Sequence, residues 1–186
     1  MNLSADDKVV VDTNVLLVAN CMHDDVSAEC VLACIDHLEG LQRIGVVVID
    51  DDYRILREYG HKTNASSPKG VGDVFLKWLL QNQAKADRVH RVPITEGAAD
   101  CFVEFPGDEL QQRFDPPDRK FPAVAYAHPS EVKPTIWQAT DCKWLDWWPA
   151  LHEKGIRVKF LSPDDVLAAY RNKFPDRPVP GLPSQD

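Results

Sequence analysis

Three aspartates and one glutamate stand where they could act together in chemistry. Asp12 ends the apolar run of VVVDTNVLL, where an unpartnered carboxylate would be costly to bury. Asp118 opens a predicted helix in DPPDRKFPAVAYAH, and Asp141 follows the predicted strand PTIWQAT. Strand C-termini and the helix N-termini after them face one edge of an open α/β sheet, so we expect these aspartates to converge. Glu58, within RILREY, can reach the same edge from a neighbouring helix.

Carboxylates held close together repel one another unless cations lie between them. Ligation by oxygen alone suits a hard ion, Mg²⁺ or Mn²⁺, rather than Zn²⁺. Such a cluster is typical of phosphodiester hydrolysis, in which the ions activate a water, stabilise the leaving oxygen and hold the phosphate. The four acids therefore predict a Mg²⁺ or Mn²⁺ site with hydrolytic chemistry.

An alternation of strand and helix patterns surrounds these acids. Strands are predicted over residues 8–13, 46–49, 88–94, 135–140 and 156–161. Helices are predicted over residues 27–42, 52–61, 73–86, 118–128, 144–153 and 163–173, with a first helix that begins within residues 15–17. This alternation favours a single three-layer α/β domain with a mostly parallel sheet.

Other segments carry weaker patterns. The predicted domain spans residues 1–173, and the Pro-rich tail 174–186 is predicted to be irregular. Small residues predict a loop over 63–72, whereas 95–117 is ambiguous, with an apolar helix-like piece at 101–103. The acids at 50–52 are expected in a first helical turn, where they interact favourably with the helix dipole.

The composition is that of one domain with a sizeable core: 186 residues, of which 44% are hydrophobic. No run approaches the roughly 18 apolar residues of a membrane span, and MNLSADDKVV lacks the basic-then-apolar order of a signal peptide. We therefore expect a soluble, cytoplasmic protein without a membrane partner. The five cysteines are odd in number and scattered, which favours reduced thiols over a disulfide framework.

The net charge of −8, from 21 Lys and Arg against 29 Asp and Glu, does not by itself indicate a nucleic-acid binder. It does not exclude one either, because bound cations neutralise clustered acids and a local basic strip can guide a phosphate backbone. Arg119, Lys120 and Lys143 lie beside the acids in the sequence and are the candidates for contacts with the phosphates of a nucleic-acid backbone.

The order of the acidic segments resembles that of the PIN-domain nucleases, which include the VapC-like ribonucleases. The resemblance rests on VVVDTNVLL, ILREYG, DPPDRKFPAVAYAH, ATDCKWLDW and FLSPDDVLAAY, and it covers about residues 8–171. It implies a Rossmann-like, PIN-like α/β/α sandwich with a metal-dependent endoribonuclease site. Carried over residue by residue, the catalytic and metal-binding quartet would be Asp12, Glu58, Asp118 and Asp141.

The resemblance also implies supporting residues and partners. Asn14 or Thr13 would support the first acid, and Thr140 matches the small hydroxyl residue that often precedes the fourth. Cys142 and Lys143, which follow the fourth acid, depart from the family pattern. Asp146 follows a few residues later and is a further candidate for support. The expected partners are an RNA substrate, an antitoxin protein and a second copy of the chain in a homodimer. The additional length over residues 62–117 departs from the compact toxin members of the family.

Each acid also has a structural interpretation when it is taken alone. Asp12 and Asp118 could cap helices, and Asp141 could be an ordinary loop acid. Glu58 could lie on a solvated helix face and pair with Arg54 four residues earlier.

The thiols and indoles have structural interpretations too. Cys30 and Cys34 are expected to be buried thiols rather than zinc ligands, because no set of four convergent soft ligands is visible. The tryptophans within residues 144–148 could stack on bases, but their helical spacing favours packing in the core.

Other functions compete with the nuclease hypothesis. A haloacid-dehalogenase-like phosphatase would place a second aspartate two residues after Asp12, where this chain has Asn14. A receiver domain would need its acidic pair and its lysine in a different order along the chain. The rival from another class is a catalytically silent scaffold of the same fold that binds RNA or a protein partner.

Overall fold

The computed structural model describes residues 4, 7–23 and 25–184. Five strands form one fully parallel sheet: β1 Lys8–Val11, β2 Val46–Asp50, β3 Val89–Val92, β4 Thr135–Gln138 and β5 Val158–Phe160. Their order across the sheet is β3-β2-β1-β4-β5. The strands that follow β1 along the chain are therefore added first on one side of it, as β2 and β3, and then on its other side, as β4 and β5. The crevice beyond the carboxyl ends of β1 and β4 is therefore the switch point at which such sheets bind ligands.

The central strand β1 pairs on both sides, with Val9 opposite Val47 of β2 and opposite Thr135 of β4. Its residues Val9 to Val11 are almost fully buried. A run of β-branched residues suits a strand that is covered on both faces of a parallel sheet. The strand is thus a rigid support for whatever follows Val11.

Helices cover both faces of the sheet and complete a three-layer, Rossmann-like α/β/α sandwich, as predicted. In the described residues the α-helices are α1 Thr13–Ala19, α2 Ala28–Ile44, α3 Arg54–Lys62, α4 Val71–Asn82, α5 Asp108–Gln111, α6 Lys120–Ala127, α7 Trp144–Glu153 and α8 Pro163–Lys173. Helices α1, α2 and α4 pack on one another, whereas α6 lies against β1, β2 and β4. Helix α6 therefore carries its first residues to the switch point.

Several predicted boundaries are confirmed. All five predicted strands are present, and α7 and α8 have the predicted bounds. Ser27 caps α2, with its hydroxyl accepting the Cys30 N–H at 3.0 Å. The acids at 50–52 do not lie in a first helical turn as predicted, because α3 begins at Arg54; Asp50 instead ends β2, and its carboxylate accepts the N–H groups of Arg54 and Ile55 at 2.7 and 2.9 Å.

Other boundaries differ from the predictions. Helix α1 begins at Thr13, directly after Asp12, and α4 begins at Val71, inside the predicted loop. The early start of α4 depends on close packing, since a Cβ on Gly72 would lie 2.3 Å from the Leu16 carbonyl oxygen of α1. The segment 101–103 is not helical: Phe102 forms an isolated antiparallel bridge with Glu96. The short helix α5 was not predicted, because four residues carry no periodicity.

Two of the thiols and two of the indoles pack in the hydrophobic core. Cys30 and Cys34 are fully buried, which confirms the expectation of buried thiols. Trp144 and Trp147 are buried as well, and Trp147 stacks on Phe114 with ring centroids 4.2 Å apart. Packing in the core is therefore confirmed for these two tryptophans, and base stacking is not available to them.

The Pro-rich tail is irregular over residues 174–184, as predicted, and residues 185–186 lie outside the described residues. It nevertheless packs on the domain. The Trp148 indole N–H donates to the Gly181 carbonyl at 2.9 Å, and Leu182 packs against the core. No helix within the described ranges is long and apolar enough to cross a membrane.

Candidate active site

Asp12 lies where β1 ends and α1 begins, at the carboxyl edge of the sheet. Its N–H donates to the Trp137 carbonyl of β4 at 3.0 Å, so the strand pairing fixes its backbone. Its Oδ1 caps α1 by accepting the Asn14 N–H at 2.9 Å. The residue is only 4% exposed, and its Oδ2 is buried with no hydrogen-bond partner among the described residues. Such an orphaned oxygen is costly, which indicates that a cation or a proton belongs beside it.

Asp118 and Asp141 lie near enough to Asp12 to change its ionisation. Burial and then the Asp118 carboxylate raise the pKa of Asp12 well above its usual value, and Asp141 adds a smaller rise. Burial, followed by Asp141, raises the pKa of Asp118 to about 7. Burial also raises the pKa of Asp141. The structure thus brings the three predicted aspartates together as carboxyl groups whose charges oppose one another.

Two different local structures position the second and third of these aspartates. Asp118 ends a short 3-10 turn, Pro116–Asp118, directly before α6. The N-cap position of α6 belongs to Arg119, which makes no side-chain cap, so the interpretation of Asp118 as the cap is wrong. Asp141 follows β4, and its Oδ1 accepts the Lys143 N–H at 3.1 Å. Both carboxylates are half-buried at the mouth of the crevice.

Glu58 extends from α3 toward the end of β1 rather than lying on a solvated face. Its Oε1 accepts the Thr13 hydroxyl, and its Oε2 forms an ion pair with the Lys120 ammonium. The alternative partner Arg54 instead pairs with Glu96 and Asp52. Glu58 therefore joins the cluster through one hydrogen bond and one ion pair, with 28% of its side chain exposed.

Lys120 is a buried cation in the middle of these acids. The residue is 6% exposed, and its ammonium contacts Glu58 and the Pro117 carbonyl oxygen. The ammonium also lies 4.3 Å from the centroid of the Phe121 ring. Sequence reasoning placed Lys120 among the surface contacts to RNA, but the packing of α6 across the sheet carries it inward.

The other two predicted phosphate contacts differ from each other. Arg119 is also 6% exposed, and its guanidinium donates to the carbonyl oxygens of Phe114 and Ala99 at 3.2 and 2.8 Å. Its positive charge therefore holds the segment before α6 in place and does not face solvent. Lys143 is half-buried at the rim, where its ammonium pairs with the Asp115 carboxylate.

The predicted supporting residues fall into two groups. Asn14 lies at the crevice, since its Oδ1 accepts the Ala139 N–H at 3.0 Å, and Thr13 binds Glu58. Thr140 lies there too, with its hydroxyl oxygen 3.3 Å from the His23 Nε2. Asp146 does not join the cluster. It accepts the Tyr170 hydroxyl at 2.8 Å and pairs with Arg177 at 3.8 Å, so it ties α7 to α8 and to the tail.

Tyr59 is a residue of this region that sequence reasoning missed. It is fully buried, and its hydroxyl donates to the Val11 carbonyl at the end of β1. Burial and then the Asp12 charge raise the pKa of Tyr59 well above its usual value, so it stays a neutral donor. In the sequence, only its position directly after Glu58 indicates that Tyr59 lies near the site.

The donor set can be tested against a hard divalent cation. Within the described ranges, no group of three or more His, Cys, Asp or Glu side chains lies close enough together to hold a metal ion as it stands. The chemistry of the donors nevertheless fits, because Asp12 offers an unpartnered buried oxygen beside two further carboxylates with raised pKa values. A cation between them would remove the repulsion that raises those values.

Comparison with protein-family models, with curated proteins and with solved structures finds no match for this chain. Its function therefore has to be inferred from the geometry and chemistry of the site itself.

Proposed function

We propose that the protein is a metal-dependent endoribonuclease of the PIN-like type, which hydrolyses RNA phosphodiester bonds. The observation that carries the proposal is the Oδ2 of Asp12, a buried and unpartnered oxygen at the switch point. The carboxylates of Asp118 and Asp141 lie close enough to raise the pKa of Asp12 further. Mutual repulsion of this kind suits a site for a divalent cation better than a structural helix cap. The order of the acidic segments along the chain, which resembles that of PIN-domain nucleases, supports the same class.

Each residue of the site has a role in this proposal. Asp12, Asp118 and Asp141 would hold Mg²⁺ or Mn²⁺, which when bound would lower the pKa of a water and offset charge on the phosphate. Asn14 fixes the Asp12 turn against β4 through its hydrogen bond to Ala139. Hydrolysis by this route leaves 5′-phosphate and 3′-hydroxyl ends.

The resemblance suggests a biological setting for this activity. Compact relatives act as toxins, so we include the role of a toxin with an antitoxin protein as partner, and a homodimer as assembly. The segment 62–117 makes this chain longer than those relatives. It contributes Asp115, which pairs with Lys143, and the carbonyl groups of Phe114 and Ala99, which bind Arg119, to the surroundings of the site. We therefore place the nuclease activity ahead of the toxin role.

A second candidate function has one observation in its favour. The Lys120 ammonium already neutralises Glu58, as a lysine would in a site that had stopped binding metal. On that basis the fold would serve as a silent scaffold that binds RNA or a protein partner. The unpartnered Asp12 oxygen counts against the scaffold, because a site that no longer binds a cation would have no reason to bury a carboxylate oxygen without a partner.

Incubation of a mixed RNA pool with the protein in Mg²⁺, in Mn²⁺ and in EDTA distinguishes the two functions. The nuclease proposal expects fragments with 5′-phosphate ends in either metal and intact RNA in EDTA. RNA that is bound but stays intact in both metals, with a folded protein, would contradict the nuclease and favour the scaffold.

A further inference from the structure

Lys120 divides the acidic cluster into two halves. Both oxygens of Glu58 are occupied, one by the Thr13 hydroxyl and the other by the Lys120 ammonium. The opposite half contains Asp12, Asp118 and Asp141, and the pKa values of Asp12 and Asp118 are raised although the Lys120 charge lowers both. Glu58 is thus neutralised by a direct ion pair, whereas the buried Oδ2 of Asp12 has no hydrogen-bond partner among the described residues.

The Lys120 ammonium is held in place from several sides. Its helix α6 packs against β1, β2 and β4, and the side chain is 7% exposed. The ammonium donates to the Pro117 carbonyl and pairs with Glu58 next to the Phe121 ring. Such a group has little of the freedom of a surface lysine, so it behaves as a fixed positive charge.

We propose that the Lys120 ammonium takes the place of a second metal ion, so that the site binds a single divalent cation at Asp12, Asp118 and Asp141. The inference rests on the proposed function. Glu58 is then the partner that orients Lys120 and not a metal ligand. One divalent cation and one ammonium together offset most of the charge of four carboxylates.

Lys120 acts on the site through its charge, because only 7% of its side chain is exposed. An ammonium has three N–H donors, and Glu58 and the Pro117 carbonyl account for two of them among the described residues. Lys120 therefore supplies the positive charge that a second ion supplies in a two-ion site.

The test measures how many Mn²⁺ ions the full chain binds and how tightly, by titration with electron paramagnetic resonance of the free ion. The variants are Lys120→Met, the double variant Glu58→Gln with Lys120→Met, and Lys77→Met. Lys77 is an exposed lysine of α4 and serves as the matched control. The double variant replaces an ion pair with a neutral pair of similar shape, which buried sites tolerate better than a lone charge.

We expect the wild-type chain and Lys77→Met to bind one Mn²⁺. Lys120→Met frees Glu58, so it should bind a second ion or bind the first about tenfold more tightly, because a neighbouring positive charge is gone. The double variant should again bind one ion with the wild-type affinity. If Lys120→Met does not fold, the double variant decides.

Two results would overturn the inference while the proposed function stands. One is a double variant that loses Mn²⁺ binding while the wild-type chain binds one ion, since Glu58 would then be a ligand. The other is a folded Lys120→Met variant with wild-type stoichiometry and affinity. A wild-type chain that binds no Mn²⁺ contradicts the proposed function itself, and the inference fails with it.

Discussion

Asn14 and Ala139 join the two strand ends of the candidate site, because the Asn14 Oδ1 accepts the Ala139 N–H at 3.0 Å. The two residues are 125 positions apart, and the hydrogen bond connects the first turn of α1 to the end of β4. The same N–H also contacts the Gln138 side-chain oxygen at 2.8 Å, so it keeps a partner without Asn14. The Asn14 contact therefore positions Asp12 more than it stabilises the fold.

Asn14→Ala tests this positioning role. Since Ala139 keeps one hydrogen bond, the free energy of unfolding should fall by only about 1 kcal/mol. RNA cleavage should fall further than this small destabilisation explains, because the turn that presents Asp12 loses its attachment to β4. Urea denaturation gives the first quantity, and initial cleavage rates at saturating Mg²⁺ give the second. Cleavage that stays at the wild-type rate would show that Asn14 has no role in positioning Asp12.

The raised pKa values predict that the metal-free protein is more stable in mild acid. The pKa of Asp118 is about 7 in the folded chain, above the value of a free carboxyl group, so the folded state binds its proton more tightly than the unfolded state. Stability is therefore greatest below the unfolded pKa and is lost as the pH rises through the folded pKa. In EDTA we expect a loss of roughly 1–3 kcal/mol between about pH 4.5 and pH 8.

Asp118→Asn should remove the part of this pH dependence that belongs to Asp118 and reduce the part that belongs to Asp12, whose pKa stays raised by burial. Mg²⁺ should reverse the dependence in the wild-type chain by binding the ionised carboxylates. Chemical denaturation at a series of pH values, with EDTA and with Mg²⁺, measures both effects. A wild-type protein that gains stability steadily from acid to pH 8 in EDTA would contradict the assigned burial and repulsion of these carboxylates.

Substitutions of Arg119 and of Lys143 should separate an effect on stability from an effect on RNA binding. Arg119→Met removes the charge-assisted hydrogen bonds to the carbonyl oxygens of the buried Phe114 and the exposed Ala99, so it should cost about 2 kcal/mol of stability. Lys143→Met breaks a pair at the rim and should cost less than about 1 kcal/mol.

Lys143→Met should instead weaken RNA binding at all sequences and reduce the slope of log affinity against log salt by about 1, as expected for one phosphate contact. Binding measured with EDTA present keeps the RNA intact during the titration. An unchanged salt slope in Lys143→Met, or a stable Arg119→Met with a reduced slope, would reverse these assignments.

The sequence predicted the parts of the site that depend on local pattern. Asp12 and Asp141 were found because each follows an apolar strand, and parallel strands deliver their ends to one edge. The direction of Glu58 could not be predicted in this way. Which side of α3 faces the sheet depends on the packing of α3 beside α6, and this packing brings Glu58 to Lys120.

Lys120 and Arg119 show why charge alone is a poor guide to exposure. Both are cations next to a predicted acid, which is the pattern of a phosphate contact, yet both are buried by α6 and by the segment before it. That segment has no periodicity and is held by contacts between side chains and the backbone of its own loops, such as the Gln111 side-chain oxygen that accepts the Phe102 N–H at 2.6 Å. Contacts of this kind leave no local signal in the sequence.

The most direct test of the central claim compares RNA cleavage by the wild-type chain, Asp12→Asn and Asp36→Asn in Mn²⁺. Asp36 is an exposed acid of α2 and controls for the loss of one carboxylate. Asn keeps the shape of Asp12 but removes the charge that the cation needs. The account predicts metal-dependent cleavage by the wild-type chain and by Asp36→Asn, and a loss of at least about a hundredfold in a folded Asp12→Asn. Cleavage by Asp12→Asn at the wild-type rate would contradict the account.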